Sequence, residues 1–214
     1  MLFRSSQFIA NRLAEGLKIH YNAEISHIQK REGKFWLSGS GPFDTLIYTG
    51  DIRKIVAILS ETGVGENLPK SLKNLPSNGT SNIFCETDPG DISWLYLPDP
   101  DVKAHRIIYT GNFAETNSRG SKRQTCVVEF SGNYSFEFMS DQIKKLPGNL
   151  TPLGFNHEPN SYILHSSGSK ELISESREIL KKDQIFLLGR FAEWEYYNMD
   201  KAIEAAMLLE REIS

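Results

Sequence analysis

The apolar residues near the start of the chain recur with the spacing of a helix. From Ile9 to Leu17 every fourth residue is isoleucine or leucine, so these side chains share one helical face. Ser5 or Ser6 can cap the first turn, and Gly16 lies where the helix would end. The same reasoning predicts three later helices, in the segments DIRKIVAILSE, KELISESREILKK and DKAIEAAMLLE.

Alternating and continuous apolar runs predict strands elsewhere in the chain. Two alternating segments flank Arg31-Glu32-Gly33, which is typical of a hairpin. FDTLIYTG and QIFLLG are more continuous runs, as expected for strands covered on both faces. A predicted antiparallel layer consists of ISWLYLP, AHRIIYTGNF, TCVVEFSG and YSFEFM. Residues 63–90 carry several turn signals, and residues 141–161 contain three prolines and are predicted to be irregular.

The order of these elements predicts an α/β fold in which one layered unit is interrupted by another. We expect residues 1–55 and 166–214 to form one domain and residues 56–165 to form an inserted, mostly antiparallel β lobe. The predicted protein is therefore a two-part α/β molecule.

Composition excludes several classes of function. The 214 residues are 39% hydrophobic and 24% charged, which is ordinary for a globular protein. A net charge of −3 provides no basic field for nucleic acid or anionic membrane. No apolar run approaches the ~18 residues of a membrane span. The opening MLFRSSQF lacks the apolar core of a signal peptide, so we expect a cytoplasmic location.

The metal-binding residue types are too few or too scattered to form a predicted metal site. Cys85 and Cys126 make neither a disulfide framework nor a ligand cluster. Both lie in apolar, strand-like surroundings, which predicts small buried thiols. The five histidines have no ligand-like spacing.

The stretch GRFAEWEYYNMDKAIEAAMLLE joins the last predicted strand to the last predicted helix. Gly189 allows a ligand to approach the backbone closely, and Arg190 lies just beyond the strand, where α/β sheets place ligands. Asn198 or Asp200 can cap the helix, whose first N–H groups attract an anion or an electron-rich ring. Trp194 and its neighbouring tyrosines add flat surfaces. These features predict a cofactor or anion site; the alternative is an aromatic turn that only packs.

The last helix also has a predicted buried side. It consists of small and aliphatic residues: Ala202, Ala205, Ala206, Leu209 and Ile213.

The same stretch resembles the C-terminal flavin-contact motif of UDP-galactopyranose mutases and of related flavin amine oxidase-like proteins. Other segments resemble that family in the same order: SSQFIANRLAEGL, AEISHI, LIYTGDI, HRIIYTGNF, VVEFS and SYILH. The resemblance covers nearly the whole chain. It implies FAD as the cofactor and an incomplete FAD-binding, Rossmann-like domain interrupted by a substrate-binding lobe.

The resemblance also implies which residues would contact FAD. Arg190 would face the flavin, after the close approach allowed by Gly189. The backbone at Met199 and Asp200 would meet the pyrimidine edge of the ring, where the helix dipole would stabilise a reduced flavin. Asn198 stands where bacterial mutases commonly have aspartate.

Other residues would contact the remaining parts of the ligands. The main chain at Ile25 corresponds to an adenine contact. Tyr162 and Tyr196 correspond to tyrosines that hydrogen-bond the substrate diphosphate, and Arg106 corresponds to an arginine that neutralises it. The implied substrate is a nucleotide-sugar such as UDP-galactose, and the implied reaction is ring isomerisation on reduced flavin.

A glycine fingerprint that would hold the FAD pyrophosphate is missing from this sequence. No Gly-x-Gly-x-x-Gly follows a strand and opens a helix, and SGSGPF (residues 38–43) lies in a hairpin-like loop. The chain thus resembles the second half of a flavoprotein. We expect either a separate FAD-binding chain or a second copy as partner. Alternatives are a flavin amine oxidase-like oxidoreductase and a non-catalytic truncated or partner chain that binds a nucleotide-sugar.

Overall fold

The structure is a computed structural model that describes residues 7–213. The helices, in chain order, are α1 (Gln7–Ala14), α2 (Ile55–Ile58), α3 (Phe136–Gln142), α4 (Ser169–Lys182) and α5 (Met199–Ile213). The strands are β1 (Ile28–Arg31), β2 (Lys34–Leu37), β3 (Ser40–Phe43), β4 (Leu46–Tyr48), β5 (Ser77–Thr87), β6 (Trp94–Tyr96), β7 (Ala104–Ile108), β8 (Gln124–Ser131), β9 (Thr151–Ile163) and β10 (Ile185–Leu187).

The described chain divides into two compact units. The first contains residues 7–19 and 78–161, and the second contains residues 20–77 and 162–213. Each unit has a separate cluster of buried apolar side chains. The predicted α/β fold class is confirmed.

In the second unit, β1, β2 and β3 form an antiparallel sheet in that order. Glu32 and Gly33 both have positive φ, as a two-residue hairpin turn requires. Ser38 and Gly39 repeat this conformation between β2 and β3. The predicted hairpin is therefore confirmed, and SGSGPF is a hairpin turn followed by a strand rather than a phosphate loop.

A parallel pair, β4 and β10, lies in the same unit, with Leu46 opposite Ile185. The chain then turns at Asp51, whose carboxylate accepts the Arg53 N–H at 3.0 Å and starts a short 3₁₀ turn that leads into α2. The helix predicted from DIRKIVAILSE is present but short. The buried cluster of this unit includes five fully buried side chains: Phe35, Ile52, Leu72, Leu180 and Trp194.

The first unit is built on a five-stranded sheet of order β6-β7-β8-β5-β9. The pairs β6/β7, β7/β8 and β5/β8 are antiparallel, which confirms three of the four strands of the predicted antiparallel layer as β6, β7 and β8. One face of the sheet packs against α3. Its buried side chains include Ile83, Ile107, Val128, Phe130 and Met139.

Two predictions about this unit are wrong, because the long strands β5 and β9 carry weak strand signals. β5 lies within the turn-rich residues 63–90, and its Ser81 hydroxyl donates to the Gly132 carbonyl at 2.8 Å. β9 occupies the second half, residues 151–161, of the segment predicted to be irregular. Its position at the edge of the sheet tolerates Pro152 and Pro159, which lack an N–H for a ladder hydrogen bond.

The strand predicted from YSFEFM is also wrong, because this segment forms α3. The Ser135 hydroxyl accepts the Phe138 N–H at 3.2 Å and caps the helix. The alternation of aromatic and polar residues fits a strand, but the cap and the burial of Met139 favour the helix.

The terminal helices follow their predicted positions with less burial than expected. α1 is confirmed over Gln7–Ala14, and its expected caps Ser5 and Ser6 lie outside the described residues. On α5, Ala202, Ala205 and Leu209 are half-buried as predicted. Two residues predicted on that side are exposed instead: Ala206 and Ile213.

Between residues 7 and 213, none of the helices has the length and apolar character needed to cross a membrane.

Candidate functional site

The chain between β10 and α5 forms a compact turn, which we call the junction (residues 189–198). The Glu193 N–H donates to the Gly189 carbonyl at 2.9 Å, and the Glu193 carboxylate accepts the Gly189 N–H at 2.8 Å. Gly189 has a φ of 94°, which glycine adopts without strain. The carboxylate therefore fixes the point at which the chain leaves the strand.

Arg190, Tyr196 and Tyr162 lie together at the junction; we call them the Arg–Tyr cluster. The Arg190 guanidinium lies 4.5 Å from the centre of the Tyr196 ring. It also donates to the Tyr197 carbonyl, at 3.1 Å from Nε and 2.5 Å from one Nη. Tyr196 and Tyr162 stack with ring centres 5.8 Å apart and planes 9° apart. Three residues predicted to bind ligand are thus brought together.

The start of α5 follows this cluster directly. The Asn198 carbonyl accepts the Ala202 N–H at 3.0 Å, so Asn198 is at the N-cap position. Asn198, Met199 and Asp200 are all exposed. The N–H groups of a first helical turn have no acceptor within the helix. They make the start of α5 a donor-rich, positive end next to an exposed aromatic ring.

A second set of contacts holds Trp194, which lies within the junction. Trp194 is 1% exposed, and its indole N–H donates to the Leu164 carbonyl at 3.3 Å. The Arg53 guanidinium lies 5.2 Å from the Trp194 ring centre and donates to Asp51 from Nε and Nη. Burial alone would raise the pKa of Asp51, but the hydrogen bonds from Arg53 outweigh it and lower that pKa. Trp194 was predicted to offer a flat surface at the site, but it is buried, and its contact with Arg53 was not predicted because it joins distant parts of the sequence.

The far side of the junction carries further charge. Arg177 on α4 donates to the Glu193 carboxylate at 3.2 Å. Burial, followed by the nearby carboxylates of Glu193 and Glu195, raises the pKa of Tyr197. Its phenol therefore stays protonated at neutral pH.

Ile25 belongs to the second unit, like the junction, but it is not part of the Arg–Tyr cluster. It lines a cleft of about 510 Å³ beside β4, together with Tyr48 and Gly50. A Cβ on Gly50 would lie 2.9 Å from the Tyr48 hydroxyl, so the close packing requires glycine. Burial and then Asp51 raise the pKa of Tyr48 to about 12. None of the described junction residues lines this cleft.

Arg106 belongs to the other unit and has its own partners. Its guanidinium is 2.6 Å from the Glu129 carboxylate and 4.9 Å from the Trp94 ring centre. His105 approaches the same carboxylate at 2.7 Å. Burial alone would raise the pKa of Glu129, but hydrogen bonds from His105 and Arg106 lower it. The charge of Arg106 is therefore balanced by an adjacent carboxylate.

The Arg–Tyr cluster and the start of α5 fit one end of FAD. The α5 start offers donors and positive potential to the edge of an isoalloxazine ring, and the Arg–Tyr cluster offers an oriented cation and flat surfaces. The pyrophosphate end has no counterpart, since the sequence has no glycine fingerprint. Across residues 7–213, no three His, Cys, Asp or Glu side chains are grouped so that they could hold a metal ion.

The fold is similar to several solved structures. Reduced UDP-galactopyranose mutase matches with a TM-score of 0.73 and 18% identity, over 92% of this chain and 47% of that one. A protein from Exiguobacterium sp. 255-15 assigned as a protoporphyrinogen oxidase matches with a TM-score of 0.72 and 15% identity, over 97% and 50%. A CLA-producing fatty acid isomerase from P. acnes matches with a TM-score of 0.68 and 13% identity, over 96% and 51%.

These matches establish the fold, which is that of the FAD-dependent flavoenzyme class. The chain spans about half the length of each of these structures. No protein-family model matches the sequence, and no curated protein sequence matches it significantly.

Proposed function

We propose that this chain supplies the flavin-ring half of an FAD site in an enzyme similar to UDP-galactopyranose mutase. The observation that carries the proposal is the Arg–Tyr cluster, which adjoins the exposed start of α5. A cation, two stacked phenols and a row of helix N–H groups suit a planar ring that becomes electron-rich on reduction. The similarity to reduced UDP-galactopyranose mutase supports the same class.

Each part of the site has a defined task in this proposal. The N–H groups at Met199 and Asp200 donate to the ring edge and stabilise negative charge there. Arg190 is already oriented by the Tyr197 carbonyl, so little conformational freedom is lost when a ligand binds. When bound, FAD supplies the reduced ring on which a sugar changes ring size without net oxidation.

The substrate side of the proposed site consists of Tyr162 and Tyr196. Their stacked rings form a rigid wall, and phenol hydroxyls are suitable donors to a diphosphate. We propose UDP-galactose as the first probe because it carries both a diphosphate and a hexose. Arg106 stays a predicted diphosphate contact.

A flavin amine oxidase-like oxidoreductase is the second candidate function. One observation favours it: Arg106 is paired with Glu129, so its charge is compensated without a diphosphate. A substrate that lacks phosphate would suit this arrangement. Net oxidation of the substrate would distinguish this function from isomerisation.

The proposed enzyme needs a second part that carries the pyrophosphate loop. β4 and β10 form a two-stranded parallel sheet, whereas parallel sheets are normally larger and covered on both faces. Ile47, in the middle of β4, is 46% exposed. We propose that a polypeptide bearing the glycine fingerprint adds a strand beside β4, either as part of a longer chain or as a separate one.

Flavin titration tests the proposal. The chain is titrated with FMN and FAD while flavin fluorescence is followed, and ADP is then added as a competitor. Because the proposed contacts are to the ring, we expect saturable binding of both flavins with similar dissociation constants and no displacement by ADP. Arg190→Ala should weaken FMN binding by about tenfold, the loss expected for one charge-assisted contact.

The control is Arg211→Ala, which removes an exposed arginine from the last turn of α5. It should leave the dissociation constant unchanged. A folded chain that binds neither flavin, or equal losses in the two variants, would contradict the proposed site.

A further inference from the structure

The two cysteines of the chain face each other in the first unit. Cys85 on β5 is directly opposite Cys126 on β8 in the antiparallel ladder. Their residues are 0% and 1% exposed. They are 41 positions apart in sequence (126 − 85), so the fold alone brings them together.

The backbone register at this pair permits a strained, reducible disulfide bond. Gly79 and Gly132 are opposite each other in the same register. The Gly132 N–H donates to the Gly79 carbonyl at 2.8 Å, so Gly79 and Gly132 are a hydrogen-bonded pair. The register runs without a shift from Thr80↔Ser131 to Thr87↔Gln124. Hydrogen-bonded pairs alternate along such a ladder, so Cys85↔Cys126 is also one. Opposed Cα atoms in such pairs lie about 5.5 Å apart, within the range that disulfides span. Their Cβ atoms are farther apart than in non-hydrogen-bonded pairs, so a disulfide at this position would be strained and readily reduced.

The environment of the pair also makes its two thiols unequal. The adjacent Cys85 thiol lowers the pKa of Cys126, helped by the positive charge of Arg123. The adjacent Cys126 sulfur, together with burial, raises the pKa of Cys85. Cys126 is therefore the thiol that more readily becomes the nucleophilic thiolate.

We propose that Cys85 and Cys126 are a reversible dithiol–disulfide site whose oxidant is a hydroperoxide. A small oxidant suits a buried pair, because it needs only a brief local opening of the sheet. The inference is independent of the proposed flavin site.

The chemistry balances with hydrogen peroxide. The Cys126 thiolate attacks one peroxide oxygen, the O–O bond breaks, and hydroxide leaves and is protonated to water. Cys126 is then a sulfenic acid. The Cys85 sulfur attacks the Cys126 sulfur, the S–O bond breaks, and hydroxide takes the Cys85 proton to form a second water. Two thiols and one peroxide thus give one disulfide and two waters.

Mass spectrometry of the folded chain tests the site. The chain is treated with hydrogen peroxide in native buffer and then denatured in the presence of an alkylating agent. Its intact mass is then measured. We expect a monomer lighter by about 2 Da, the mass of two hydrogens, with no alkylation. A thiol reductant should restore two alkylatable cysteines. Circular dichroism before and after treatment verifies that the fold is retained.

Single variants separate the two roles. Cys85→Ser should stop at an oxygen adduct on Cys126, and Cys126→Ser should react more slowly with peroxide than Cys85→Ser does. The proposal is overturned if the folded wild-type chain keeps both thiols under conditions that oxidise the denatured chain. A disulfide that forms only between two chains would overturn it as well.

Discussion

Arg190 shows how the candidate site is organised at the scale of single residues. Its guanidinium is held by the Tyr197 carbonyl and by the Tyr196 ring. Tyr196 in turn stacks on Tyr162. A cation fixed in this way presents a defined direction to a ligand instead of sampling many rotamers.

Glu193 should position this arrangement without touching the ligand. We predict that Glu193→Ala lowers the free energy of unfolding by about 1–2 kcal/mol, because a charge-assisted bond to the Gly189 N–H is lost. The FMN dissociation constant should rise in the same variant. Urea unfolding and fluorescence titration measure the two effects. Glu204→Ala, on the exposed face of α5, is the control and should change neither.

Glu129 should make the stability of the first unit depend on pH. Its pKa is lowered in the folded state, so its ionised form stabilises the fold above the unfolded pKa of about 4.3, and this contribution is lost as pH falls. Glu129→Gln should cost about 2–3 kcal/mol at neutral pH, because it leaves Arg106 without its partner charge.

The pH series of urea unfolding distinguishes this electrostatic effect from a packing effect. The difference between wild type and Glu129→Gln should begin to shrink as pH falls below about 4.3, the unfolded pKa, and should be lost only below the lowered pKa of the folded state, where the carboxyl is protonated in both states. A difference that stays constant across the series would show that charge is not its cause.

At this scale, sequence reasoning proposed residues that are close in the chain or lie in a motif that resembles a known family. Arg190, Tyr196 and Tyr162 belong to that group. The support from Asp51 and Arg53 beneath Trp194 was not predictable, since a contact over 140 positions leaves no local pattern. Glu193 was visible as an acid, but its bond to Gly189 depends on a turn that only the structure defines.

At the scale of elements, strong periodicity was a reliable guide and mixed signals were not. α4, α5 and the β1–β2 hairpin formed where the pattern predicted them. β5 and β9 did not match any pattern, because their ladders are stabilised by partners far away in sequence and by an edge position that tolerates proline.

The cap of α3 can be tested directly. Ser135→Ala should destabilise the chain by about 1 kcal/mol, because the Phe138 N–H loses its acceptor. Ser140→Ala is a matched control on the same helix, since the buried Ser140 hydroxyl has no hydrogen-bond partner among residues 7–213. That control should be neutral or stabilising in urea unfolding. Equal losses would mean that the cap contributes nothing specific.

The exposed edge at β4 can be tested by association. We expect the chain to self-associate in sedimentation velocity, and we expect Ile47→Lys to reduce this, because an edge lysine blocks strand addition. Leu153→Lys, an exposed leucine on β9 in the other unit, is the control and should have little effect. A wild-type chain that stays monomeric at high concentration would contradict this prediction.

At the scale of the whole molecule, the chain has the fold of half a flavoenzyme. Each of the two units has its own cluster of buried apolar side chains. The parallel sheet has two strands, and the outer side of α5 is exposed at Met207 and Leu208. The order of elements along the sequence was sufficient to predict the fold class. It could not predict that Met207 and Leu208 on α5 are exposed, because apolar periodicity does not reveal whether a face is covered.

The central claim is that the start of α5 stabilises an electron-rich flavin ring. Anaerobic titration with oxidised and reduced FMN, at mildly alkaline pH where reduced flavin is an anion, tests it most directly. We predict that reduced FMN binds about fivefold more tightly, the effect of roughly 1 kcal/mol from a helix N-terminus. Equal affinity for both forms, or no binding of either by the folded chain, would contradict the claim.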